Sequence, residues 1–108
     1  MIGCKDTECI INLINVVLEK YGIKSFVKQI NLKVVDGLSK YEDGNVTINI
    51  LKYDEIYHDA GGESELISSF IFLVSLYSIV GVKKSEEIIL NEFGANSLIY
   101  KLHNILLA

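Results

Sequence analysis

The densest run of side chains that could do chemistry is Asp54-Glu55-Ile56-Tyr57-His58-Asp59. On a helix Asp54 and His58 share a face, as do Glu55 and Asp59, because residues four apart are neighbours. A carboxylate beside an imidazole can hold a divalent metal or exchange a proton. A metal site needs three or more converging ligands, and this cluster supplies two. The plain alternative is a solvated stretch ahead of an apolar helix.

Elsewhere the reactive groups are sparse. Glu92 and His103, eleven residues apart, fall on nearly one face of a continuous helix. They then lie about 16 Å apart along its axis, too far to share a metal. His103, close to the C-terminus, reads as a partner for the helix dipole. The chain holds two histidines, and neither sits next to a Ser or Cys that it could activate. No glycine-rich phosphate loop of the required spacing is present. No catalytic residue and no cofactor are therefore expected.

Cys4 and Cys9 have four residues between them, which is not a usual zinc or thioredoxin spacing. The start, MIGCKDTEC, lacks the basic opening and small-residue cleavage site of a secretory signal. The pair is therefore expected as free thiols in a reducing compartment, and the protein as cytoplasmic.

All ten basic residues are Lys. Through Asp54 seven Lys balance seven acids, whereas from Glu55 onward three Lys face seven acids. An acidic second half without Arg argues against nucleic-acid binding, which relies on clustered positive charge. At 108 residues and 50% hydrophobic, with no Pro and no repeat, the chain reads as one globular domain, residues 1–108.

Several elements must position these groups. Asp6 and Thr7 can cap a helix from about Glu8 to Tyr21, stopped at Gly22. Phe26 to Val35 alternates, with Phe26, Ile30, Leu32 and Val34 on one side, as a strand does, its start equally readable as a turn of helix. Asp43-Gly44, between Leu38–Tyr41 and Val46–Ile50, is a hairpin signal. Leu51 to Gly62 reads as irregular, with one helical turn at Tyr53–His58, and Gly61-Gly62 breaks the chain. Ser85, with Glu86 and Glu87, reads as the cap of a last helix running to Leu107, in which Gly94 marks a kink or a close approach.

Between these lies Leu66 to Val82, seventeen residues with no charge, twelve of them apolar. As a helix it reaches about 26 Å, short of a bilayer core of about 30 Å. Glu63 and Glu65 stand at its entrance, so a helix enclosed by the domain is expected and membrane attachment is not. Ser64, Ser68, Ser75 and Ser78 form a small-residue stripe along it. Either another element approaches there, or this is the least buried face with each hydroxyl bonded to its own helix.

The order helix, short sheet, helix, helix resembles the ImmA/IrrE-type zincin-like metallopeptidases. Lys40-Tyr41 and Gly44-Asn45-Val46-Thr47-Ile48-Asn49-Ile50 are similar to the edge strand that family uses beside its substrate. Glu92-Phe93-Gly94-Ala95-Asn96 is similar to the segment bearing its third zinc ligand, which would place that carboxylate at Glu92. The family's central helix carries His-Glu-x-x-His; here it reads Ser64-Glu65-Leu66-Ile67-Ser68, without His. The resemblance thus implies a relative without peptidase activity.

The fold class expected is α+β: an N-terminal helix, a small antiparallel sheet with a hairpin near residues 42–45, a buried central helix and a C-terminal helix. The function expected is a small non-enzymatic binding or regulatory protein, of the kind found on viruses and mobile elements. It would act through a protein partner or as a homo-oligomer, the use suggested by high apolar content in so short a chain. The alternative is a metal-dependent hydrolase with Asp54, His58 and Glu92 as the metal candidates.

Overall fold

The computed structural model describes residues 2–61 and 63–108, so Gly62, half of the expected glycine break, lies outside the described residues. The class is α+β: helix α1 (Thr7–Lys20), strands β1 (Gln29–Lys33), β2 (Ser39–Glu42) and β3 (Asn45–Asn49), then helices α2 (Ile50–Asp59), α3 (Ser64–Val80), α4 (Val82–Phe93) and α5 (Leu98–Leu107).

Helix α1 starts where Asp6 accepts a hydrogen bond from the Cys9 amide at 2.8 Å. It buries Ile10, Ile14, Val17 and Leu18, one stripe at helical spacing. Strands β2 and β3 form the expected hairpin. Asp43 and Gly44 both have positive φ, 47° and 84°, as a two-residue turn matched to strand twist requires. A side chain at Gly44 would also meet the Lys28 side-chain carbons at 3.1 Å.

The sheet is mixed, not purely antiparallel. Its order is β1-β3-β2, with β2 antiparallel and β1 parallel to β3, in register from Gln29↔Asn45 to Lys33↔Asn49. The chain leaves β1, passes over one strand width to β2, and β3 folds back into the gap. The segment expected as an edge strand is therefore the centre of the sheet, and its Val46 and Ile48 are fully buried.

The irregular stretch expected after it is a ten-residue helix. Asn49 caps α2, its side chain accepting from the Leu51 amide at 3.1 Å, and Ile56 is buried. Helix α3 begins under the carboxylate of Glu63, which accepts from the amides of Glu65 and Leu66. From Ser68 to Tyr77 every residue except Ile71 is buried, so α3 is the enclosed rod expected. Among the described residues, no helix is long and apolar enough to cross a membrane. Of the serine stripe, Ser75 and Ser78 bond back to α3 carbonyls. Ser68 is buried and donates instead to the Cys4 carbonyl at 2.8 Å.

The last segment is two helices. Helix α4 starts directly after Gly81, so Ser85 lies inside it and buried rather than at its cap. At Gly94 φ is +88°, and its amide reaches back to the Ile89 and Leu90 carbonyls. That conformation, which a side chain disfavours, ends α4, and Ser97 caps α5 through the Tyr100 amide. Cys4 and Cys9 form a disulfide, with Cα atoms 5.5 Å apart, instead of standing as free thiols. The Asp6 cap turns the chain back over the first helical turn and brings Cys9 against Cys4.

Candidate functional site

The three residues expected around a metal are not gathered. Asp54 and His58 are exposed on α2, one turn apart. Glu92, on α4, is engaged by α1: its carboxylate accepts from the Tyr21 hydroxyl at 2.8 Å and pairs with Lys20 Nζ at 2.9 Å. The hydrogen bonds from Lys20 and Tyr21 hold its carboxyl below the usual carboxylate range, against a smaller opposing effect of burial. Among the described residues, no three His, Cys, Asp or Glu side chains gather as a metal site requires.

A second polar cluster was not legible as a unit. His103 is 0% exposed and joins three helices. Its Nδ1 meets the hydroxyl of Tyr77 on α3, and its Nε2 lies 3.5 Å from Glu86 Oε2 on α4. Tyr100 stacks on the imidazole, ring centroids 6.0 Å apart. Burial, and after it the nearby Glu86 charge, pushes the Tyr77 phenol well above its usual range. The phenol thus stays protonated and donates to Nδ1, so in the neutral imidazole the proton sits on Nε2 and faces Glu86. Carboxylate, imidazole and phenol are groups able to move a proton. A substrate cannot reach a fully enclosed ring, so here the Tyr77–His103 contact fastens α3 to α5, and Nε2 is buried near Glu86 of α4 without a hydrogen-bond partner among the described residues. The expected dipole role for His103 gives way to this burial. The available signal was its place beside Ile99, Leu102 and Leu106, the inward stripe of α5.

The surface feature that remains is the flank of β1. Helix α3 lies beneath β2 and β3 and does not reach β1. The apolar side of β1 is therefore only partly covered: Ile30 is half-buried and Leu32 is 39% exposed. Next to it, the 22–27 segment is pinned to α1 by Asn15. That side chain donates to the Val27 carbonyl at 2.9 Å and accepts from the Val27 amide at 2.8 Å. On the other side, the Tyr41 hydroxyl donates to the Phe26 carbonyl at 3.0 Å. Between α1 and this segment runs a groove of about 680 Å³ lined by Asn12, Asn15, Val16, Glu19, Ile23 and Phe26. Val16 is 63% and Phe26 56% exposed on its walls. The chain matches no family model, no curated protein and no solved structure. An apolar wall with a polar rim, on rigidly held backbone, is chemistry suited to holding another chain.

Proposed function

We propose that this protein is a small binding domain that acts by contact with another protein and performs no catalysis. The observation that carries the reading is the partly covered flank: Ile30 and Leu32 of β1, which α1 and α2 border but α3 does not reach, keep exposed surface, and Phe26 and Val16 are exposed on the groove between α1 and the 22–27 segment. Burying such surface against a partner is favourable by about 25 cal/mol per Å² before the costs of association. The 22–27 segment is held by Asn15 and Tyr41 before any partner arrives, which reduces the ordering cost of binding.

The test is selection of binders from a displayed random-peptide library against the folded chain. Hydrogen exchange then maps where each selected peptide protects. Protection confined to residues 22–34 and the adjoining face of α1 is the expected result. A library that returns no binder, or binders that protect only α4 and α5, overturns the reading.

A further inference from the structure

We infer that the open edge of β1 takes up an extended, acidic segment of a partner protein as a fourth strand. This inference rests on the binding reading above and names the chemistry of the occupant. Three independent features of β1 converge on it.

The first is the backbone. In a parallel pair, alternate residues turn both their N–H and C=O toward the neighbouring strand. The Asn49 amide donates to the Leu38 carbonyl at 2.9 Å, so Asn45, Thr47 and Asn49 face β2 and Val46 and Ile48 face β1; in the register Gln29↔Asn45 this turns Gln29, Asn31 and Lys33 toward β3, while the Gly44 carbonyl accepts from the Lys28 amide at 2.7 Å and the Gln29 amide at 3.2 Å. Ile30 and Leu32 therefore aim their backbone groups outward, off the edge of the sheet. An edge of that kind is a template for another strand.

The second is the side-chain row. Ile30 and Leu32 stand opposite the buried Val46 and Ile48, so they lie on the core side of the sheet, yet both retain exposed surface. An added strand with apolar residues at alternate positions would continue that layer.

The third is charge. From Lys20 to Val35 there are four lysines and no acid, in a chain whose net charge is −4. Lys20 is paired with Glu92, but Lys24, Lys28 and Lys33 are exposed and make no ion pair among the described residues. Lys28 and Lys33 bracket the outward-facing stretch, about 16 Å apart along an extended chain. That selects a segment carrying acids at both ends. A second copy is a poor occupant. Antiparallel pairing about Ile30 or Asn31 sets Lys28 within one position of the other copy's Lys33, with no acid to offset them. A nucleic-acid strand would satisfy the lysines but leave the β1 backbone and the apolar row unused.

The probes are fluorescent ten-residue peptides measured by anisotropy against the full chain. One alternates Val and Thr between acidic ends, one has Lys in place of the acids, and one is the acidic peptide with alternate amides N-methylated. The acidic peptide is expected to bind at least about tenfold more tightly than the Lys peptide at low salt, with the gap narrowing as salt is raised. Changing Lys28→Glu and Lys33→Glu together should invert that preference, and N-methylation should abolish binding without any change to the protein. Equal binding of acidic and Lys peptides overturns the inference, as does an N-methylated peptide that binds as well as its parent. Tighter binding of a single-stranded oligonucleotide, or a dimer that Leu32→Glu dissolves, also overturns it. Library binders that protect β1 but carry no acids would sink this inference and leave the binding reading standing.

Discussion

Removing the Tyr77 hydroxyl isolates the worth of the enclosed cluster. Tyr77→Phe keeps the ring and its packing on α3 and deletes the donor to His103 Nδ1. His103 is fully buried, so that nitrogen would be left without a partner and without water. An orphaned buried polar group costs about 1–3 kcal/mol. Unfolding entropy of about 2.1 cal/mol/K per residue over this chain gives about 4 °C of Tm per kcal/mol, so Tm should fall by about 4–13 °C. Adding His103→Leu removes the orphan, and the double variant should recover much of that loss, since Glu86 is partly exposed and can return to water. A coupling of about 0.5–3 kcal/mol between the two changes is expected from thermal and urea melts. The alkaline limb offers a second readout. A phenol raised above its usual 10.0 in the folded state stabilises below that pH and loses the contribution as pH climbs toward the folded value. The wild type should therefore lose stability above pH 10 more steeply than Tyr77→Phe does. Additive single changes, or a Tm shift under about 2 °C, would refute the account.

Three further outcomes follow from other contacts. Glu92 has a lowered carboxyl in the folded state, so its contribution is complete above the usual 4.5 and is lost as pH falls through the lowered value. Glu92→Gln should lower stability near neutral pH and flatten the acid limb of a stability–pH profile, the two proteins converging at low pH; an unaltered acid limb counts against the Lys20–Tyr21 contact. Reducing the Cys4–Cys9 disulfide reopens a loop of about six residues, worth about 2 kcal/mol by chain entropy, so a phosphine reductant should lower Tm by about 9 °C. Alkylation that adds mass before any reductant is supplied would show instead that the thiols were free. At Gly94 a Cβ would meet nothing within 4 Å, so Gly94→Ala tests backbone strain alone. It should cost about 1–3 kcal/mol in a urea titration, and a silent substitution would remove the reason given for the break between α4 and α5.

What could be read from the sequence was what short range decides. The Asp6 cap, the Asp43-Gly44 corner and the all-round hydrophobicity of α3 each depend on a few neighbouring residues. The features that sequence does not reveal arise from contacts between elements. Asn49 is a cap as good as Asp6, but it closes a strand, so the helix behind it passed for a loop. Gly94 reads in sequence as a kink or close approach within one helix, whereas its positive φ makes it the end of one and the prelude to Ser97, a second cap. Compartment and spacing argue for free thiols at Cys4 and Cys9, but the cap between them turns the chain so that the two meet. His103 could have been placed by its stripe; its partners Tyr77 and Glu86 could not, since they arrive from two other helices.

The open flank of β1 has the same cause and the largest consequence. Alternation in Phe26, Ile30, Leu32 and Val34 states which side of the strand is apolar. Whether that side is covered depends on which strand takes the middle of the sheet. Because β3 folds back between β1 and β2, the seventeen-residue α3 lies under β3 and β2, and β1 is carried past its reach. A strand with an apolar side needs something to lie against that side. Here α1, with Asn15 holding the 22–27 segment, and α2 each supply part of that cover. The rest of the apolar row, edged by lysines that pair with no described residue, keeps exposed surface.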